Sequence, residues 1–310
     1  MTASRISHVR VGTRASHLAV TQTMLVVSLL QDNCPNVEFE VIRISTAGDR
    51  DKRSPIESVG VSIFVKELEA ALEDGIADIA VHSLKDMPSQ LPAGFSLAAL
   101  PKRGDPRDVL VSRFKGGLYE LPVGARIGTS SPRRATQLRA SRNDIEILPI
   151  RGNVDTRMAK ALGGNKSGYD GAVLAAAGLD RMGRINEVSE LLDPESFIPA
   201  AGQGTLAVET LSTAIGLRDL VASIDDSDTR SAASAERSFL ARLGAGCATA
   251  AACYATLDGD EITVRGFAGR INSDDCMTHI TSGSARDSAE IGTNLAEEMI
   301  NQGALEFIRG

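Results

Sequence analysis

A lysine and an aspartate stand side by side at Lys85 and Asp86, in the run DIAVHSLKDMPSQLP, directly after a short apolar stretch that reads as a buried strand. The carboxyl end of a strand in an α/β sheet is where ligands and reacting groups gather. Among cations such a carboxylate is favoured as the anion, yet it can still exchange a proton with a cationic intermediate. Asp86 is also able to be a plain loop acid or a helix cap, and composition does not separate these roles. His82, on the same strand, reads as a packed, hydrogen-bonded histidine.

The second chemical feature is an uneven distribution of arginine. The chain carries a formal charge of −7, which argues against general affinity for nucleic acid, yet residues 126–157 hold seven arginines against only Asp144, Glu146 and Asp155. Such a local excess suits a small anionic ligand better than a polyanion. Arginine outnumbers lysine 26 to 7 overall, so the clustering carries the argument rather than the residue type. In GTSSPRRATQL, Ser131 can cap a helix that opens at Pro132, which puts Arg133 and Arg134 in its first turn. Cations are unfavourable there because the helix start is already partly positive. An anion at that end removes the conflict. RGNVDTRMAK repeats the layout with Arg151, an Asn153 cap and Arg157, and VGTRASHLAVTQT opens the chain similarly with Arg14 and Ser16.

The third feature is RLGAGCATAAACYATL, where Cys247 and Cys253 lie among small residues. The spacing is not Cys-x-x-Cys and only His279 is near in sequence, so a metal site is poorly supported and none is expected. A redox pair would favour closer spacing. Covalent attachment and simple burial stay open for both thiols.

The elements that must position these residues alternate. HVRVGT, VEFEVIRIS, IADIAVHSL, VLVSR, ARIGTS, IEILPIRG and GTLAVET read as strands, and IFVKELEAALEDG, SPRRATQLRA, NVDTRMAKALGG and the end of YDGAVLAAAGLDRMG as helices. This alternation predicts α/β architecture with largely parallel sheets. After about Ile224 the pattern changes to a helix carrying Phe239, Leu240 and Leu243, three strand-like runs and a final helix, which predicts a small α+β domain with a three-stranded antiparallel sheet. The polar segment from Ser45 to Ser62 reads as a lid or a disordered loop. A length of 310 residues, 43% hydrophobic and 24% charged, suits a globular protein of two or three domains. With no membrane-length apolar run and no secretory core, the expected compartment is the cytoplasm, where the cysteines are expected as thiols.

Taken in order, VGTRASHLAVTQT, FVKELEAAL, DIAVHSLKDMP, GTSSPRRATQL, IRGNVDTR, YDGAVLAAAGLDRMG, AAGQGTLAVE and AERSFLARLGAGC resemble the porphobilinogen deaminase (hydroxymethylbilane synthase) family over roughly residues 10–250. The resemblance implies two α/β domains of periplasmic-binding-protein type and a smaller C-terminal α+β domain. The expected division is 1–101 with 200–220, then 102–199, then 221–310, the chain crossing back near AAGQGTLAVE. It implies a transferase that joins four porphobilinogen molecules head to tail, releases ammonia at each step and hydrolyses off a linear tetrapyrrole. It also implies a dipyrromethane cofactor held by a thioether. The match of the small-residue turn after a helix selects Cys247 as its anchor and leaves Cys253 in the following strand.

By the same resemblance Asp86 is the catalytic aspartate, and Lys85, Thr129, Ser130, Arg133 and Arg134 join it around the cofactor. Arg14, Ser16, Phe64, Arg151, Arg157 and Arg181 are expected to contact substrate. The expected molecule is a monomer that binds porphobilinogen and neither nucleic acid nor membrane. Two departures stand out: Ala250 and Ala252 replace the family's Pro and Gly after the cysteine, and the lid reads SVGVSIF before Phe64. A non-enzymatic anion sensor built on the same two-domain cleft is the competing reading. Such a binder has no need of Lys85-Asp86 together with Cys247 in an appended domain.

Overall fold

The computed structural model describes residues 6–44, 62–163, 167–246 and 248–309, with the backbone alone for Ser62, Ile63, Phe64 and Arg309. The expected lid up to residue 61, the Phe64 side chain and Cys247 therefore lie outside the described residues.

The chain runs β1 (His8–Arg14), α1 (His17–Asn33), β2 (Glu38–Ile44), α2 (Ser62–Glu73), β3 (Ile79–Ser83) and β4 (Phe95–Ala99). There follow β5 (Asp108–Ser112), β6 (Arg126–Gly128), α3 (Pro132–Ser141), β7 (Glu146–Leu148), α4 (Val154–Leu162), β8 (Gly171–Ala175), α5 (Ala176–Arg181) and β9 (Glu190–Leu191). The last third holds β10 (Leu206–Leu211), α6 (Ile215–Val221), α7 (Ser227–Leu243), β11 (Ala251–Asp258), β12 (Glu261–Gly269), β13 (Cys276–Ser284), α8 (Ser288–Asn301) and α9 (Ala304–Arg309). Contacts divide the chain into two compact units, one of residues 1–103 with 205–230 and the other of 104–204 with 231–310.

In the first unit a five-stranded sheet has the order β2-β1-β3-β10-β4. Val9, Val11, Ile79, Val81 and Val208 pack with Val26, Val27 and Leu30 of α1 in one core. Leu68 and Leu72 of α2 pack with Ala80 in another. Helix α1 escapes the sequence reading for a physical reason. Gln22, Thr23, Val26, Val27 and Leu30 face inward, but Met24, Leu25 and Leu29 are exposed, so apolar residues on both faces hide the 3.6-residue period.

The second unit holds two sheets. One has the order β7-β6-β8-β5-β9, and β5 shows the period of a central strand: Leu110 packs with Ile127, Leu138 and Val173, while Val109 and Val111 pack with Met158 and Leu179. Both larger sheets are mixed rather than largely parallel. β1 pairs parallel with β2 and β3, and β6 with β7 and β8. β10 runs antiparallel to β3 and β4, and β5 antiparallel to β8 and β9. In the first sheet the reason is connectivity: β10 reaches it only after the excursion through residues 104–204, and a strand that returns in this way is not bound by the βαβ crossover rule.

The other sheet of this unit is β11-β12-β13, antiparallel throughout, with a core of Phe239, Cys253, Val264, Leu295, Met299 and Ile308. Gly266 of β12 stands opposite Cys253, and a Cβ there would lie 2.7 Å from both Phe239 Cε2 and Met299 Sδ, so the missing side chain admits the ring. Helices α7 and α8 approach so closely that a Cβ on Gly292 would strike the Ala235 carbonyl. Backbone cannot yield as a side-chain tip does, so Gly292→Ala is expected to cost about 1–3 kcal/mol, seen as a lower Tm without loss of the native secondary structure. The fully buried Glu236 of α7 accepts from Gly202 N (2.6 Å) and Ala255 N (2.9 Å), tying the helix to the 200–204 turn and to β11.

Candidate active site

In the first unit the expected residues share the carboxyl edge of the sheet. β3 is buried along its length and turns at Leu84–Asp86 into one turn of 3-10 helix, whose first amide donates to Thr205 O at 3.0 Å. Lys85 and Asp86 are half-buried there. The neighbouring parallel strand β1 ends at Arg14, also half-buried. Ser16 then caps α1, its hydroxyl accepting from Ala19 N at 3.3 Å. The buried Gln22 of α1 exchanges a hydrogen bond with Ser83 (3.1 Å), fixing the last residue of β3 from the helix side.

His82 is packed, as expected, but against a carboxylate: its Nε2 lies 3.0 Å from Glu209 Oε2 of β10, and both side chains are buried. Glu69 of α2 is buried beside them. Burial, and after it the charge of Glu209, push the Glu69 carboxyl up from its usual pKa, against weaker opposition from His82 and Lys66. An acid with a raised folded pKa contributes stability that is complete below the unfolded value, about 4.3, and is lost as pH rises through the folded value. Glu69→Gln is therefore expected to reduce the fall in stability between about pH 4 and pH 8, read from urea midpoints at each pH.

In the second unit β6 and β7 run parallel, so the loops leading to α3 and α4 leave the sheet at one edge. Ser131 caps α3, its hydroxyl accepting from Arg134 N, and Asn153 caps α4, accepting from Thr156 N at 2.9 Å. Ser130 staples the two loops together: its hydroxyl donates to Ile150 O (2.9 Å) and accepts from Ile150 N (3.1 Å). The buried Thr129 hydroxyl accepts from Ser131 N at 3.1 Å.

Arg133 and Arg134 turn inward. Arg133 Nη1 donates to Asp108 Oδ2 at 2.6 Å and to Ile198 O at 2.7 Å. Arg134 donates to Asp108 Oδ1 through Nε (3.0 Å) and Nη2 (2.7 Å), and to Val173 O through Nη1 (3.1 Å). The fully buried Gln203 adds a fourth donor to the same carboxylate at 2.9 Å and a second bond to Pro106 O at 2.7 Å. Two cations in the first turn thus find their first counter-charge inside the protein. Despite its burial, the Asp108 carboxyl is held well below the usual carboxylate range by the two guanidiniums. Sequence reasoning passed over Asp108 and Gln203. The available signal was an acid opening the all-buried strand DVLVS, where no solvent can satisfy it.

Arg151 is exposed, and Arg157 is half-buried with Nε donating to Gly152 O at 2.8 Å. Arg181 donates to Gly204 O at 2.6 Å, and Gly104 N bonds the same carbonyl at 3.2 Å, so this side chain braces the segments where the chain enters the second unit and leaves it for β10.

Both flanks of Cys247 are described. α7 ends with Ala245 N donating to Leu240 O (3.0 Å) and Gly244 N to Ala241 O (3.2 Å), with Gly244 at φ +68°, the paired bonds of a Schellman C-cap. The exposed Gly246 then bonds Thr249, whose hydroxyl donates to Gly246 O at 2.7 Å. Ala250 and Ala252 are both fully buried, Ala252 packing with Ile198 and Phe267. Cys253 is buried in β11, as expected of a strand residue.

The family model described as porphobilinogen deaminase, dipyromethane cofactor binding domain, matches residues 9–217, and that of the porphobilinogen deaminase C-terminal domain matches 231–301. A porphobilinogen deaminase of Syntrophus aciditrophicus is 43% identical over 95% of each chain. One of Roseiflexus castenholzii is 45% identical over 97% of this chain and 98% of its own, and one of Mycobacterium leprae 42% identical over 97% of each. Among solved structures, the methionine binding protein MetQ aligns with 70% of this chain and 89% of its own at 12% identity, with a TM-score of 0.43. Family models over most of its length and relatives that run from end to end place this chain in the porphobilinogen deaminase family.

Proposed function

We propose that the chain is a transferase of tetrapyrrole biosynthesis that joins four porphobilinogen molecules head to tail, with loss of ammonia at each step, and hydrolyses off the linear tetrapyrrole hydroxymethylbilane. The observation that carries this reading is the full-length relationship to porphobilinogen deaminases in a chain that keeps Lys85-Asp86 at the end of β3.

Dipyrromethane, joined through a thioether to Cys247, suits the residues present. The small-residue loop leaves its flank Gly246 exposed, and the second unit gathers Thr129, Ser130, Arg133, Arg134, Arg151 and Arg157 on the loops and helix starts that follow β6 and β7 at one sheet edge. When bound, that group supplies the free pyrrole carbon onto which the first unit is joined. The guanidiniums hold acetate and propionate carboxylates, and their fixed planes orient the rings. Arg14, Ser16 and Phe64 take the incoming porphobilinogen, with Arg181 a further contact. Loss of its amine leaves a cation delocalised over the pyrrole. Asp86, beside Lys85, stabilises that charge at the ring N–H and takes up the proton released when the ring carbon has been joined.

In this reading residues 1–101 with 200–220, 102–199 and 221–310 are the three domains of a cytoplasmic monomer that has no nucleic-acid partner. Among the described residues no helix is long and apolar enough to cross a membrane. The test is turnover: the purified chain should consume porphobilinogen and release one ammonia per unit consumed. Binding of porphobilinogen without ammonia release would favour the sensor instead.

A further inference from the structure

We infer that Asp108, tied by Gln203, is a positioning residue that aims Arg133 and Arg134 at the carboxylates of the dipyrromethane cofactor. The inference rests on the reading that these two arginines bind that group.

The charge count is the first argument. Among the described residues the two guanidiniums pair with one carboxylate, which leaves a net positive charge in a buried cluster at a helix start that adds partial positive charge of its own. A cluster serving stability alone would be closer to neutral, since an uncompensated buried charge is costly. Arg133 shows the deficit: burial lowers its pKa, Arg134 lowers it further, and only Asp108 opposes them. One carboxylate is enough to keep two cations inside the fold, and it leaves them one anion short. A ligand carboxylate makes up the difference.

Geometry is the second argument. Each guanidinium is held at Asp108 and at one backbone carbonyl, Ile198 O for Arg133 and Val173 O for Arg134, which fixes its orientation. Gln203 fixes the carboxylate in turn through Pro106 O. Gln203 lies three residues before β10, next to the point where the chain re-enters the first unit. The aim of the arginines is thus set by the start of β5 and by the returning segment, outside the helix that bears them.

The experiment uses the full chain as made in cells, with intact mass reading the fraction of folded molecules that carry the cofactor. Asp108→Glu keeps the charge and displaces it by one methylene, and Gln203→Met keeps the volume and removes the tie. Both are expected to unfold cooperatively and to carry cofactor on a fraction lowered about tenfold, the scale of losing a hydrogen bond to a charged group. Arg134→Gln is expected to lose at least as much. Adding Asp108→Glu to it should lower loading by a smaller factor than Asp108→Glu does alone, because the carboxylate then acts through Arg133 only. Lost stability alone would lower the yield of folded chain, not the loaded fraction within it. Normal loading in Asp108→Glu and Gln203→Met, with loading lost in Arg134→Gln, would overturn the inference and leave the arginine assignment standing. Normal loading in Arg133→Gln and Arg134→Gln would overturn that assignment, and the inference with it.

Discussion

Chain carrying Cys247→Ser is expected to show the mass of its sequence alone, to give no Ehrlich colour and to have no turnover, whereas Cys253→Ser keeps the added mass, the colour and the turnover. The asymmetry follows from the two positions. The thioether needs a thiolate, and a serine hydroxyl is not a comparable nucleophile at neutral pH. Cys247 follows the exposed Gly246 in a run of small residues, just past the capped end of α7. Cys253 has no exposure and packs with Phe239, Val264 and Met299. Replacing that thiol buries a hydroxyl at a cost of about 1–3 kcal/mol, enough to lower Tm and not enough to remove the fold. Intact mass of the two variants decides the matter, and an exchange of the two outcomes would move the anchor to Cys253.

Asp86→Asn is expected to lower kcat by about two to four orders of magnitude, the usual contribution of a positioned acid–base group. The substitution keeps size and hydrogen-bonding shape, and the backbone that holds Asp86 is set by β3 and by the bond from Leu84 N to Thr205 O. The fold and the covalent cofactor should therefore survive, visible as the same added mass. In the proposed role, what is lost is the negative charge facing a cationic pyrrole and the site that takes its proton. Near-normal turnover with full cofactor would remove Asp86 from the chemistry.

Most of the strands and helices that carry the site were legible because each has a local signature. β5 and β3 are built on the short apolar runs VLV and IAV, α2 repeats its apolar residues every four positions, and Ser131-Pro132 and Asn153 mark helix starts. The direction of β10 was not legible, since strand pairing across a long excursion leaves no trace in local periodicity. Nor was the fate of Arg133 and Arg134. The helix-start argument asked for an anion at that end but had no means of seeing that Asp108, some 25 residues earlier, already pairs with both guanidiniums. His82 shows the same limit: its burial was expected, while its partner Glu209 lies on a strand 127 residues away.

The placement of β10 bears on how the protein is made. The sheet order β2-β1-β3-β10-β4 puts a late strand between two early ones. When the ribosome has finished residue 103, the first unit lacks an interior member, and β3 and β4 both present open edges. Closing the gap waits for the next hundred or so residues, roughly 5–20 s at ordinary elongation rates. Open edges held for that long invite wrong pairing. The nascent N-terminal part is thus a natural client for chaperones, and a synonymous change that slows translation between residues 104 and 204 lengthens the exposed interval without altering a single side chain.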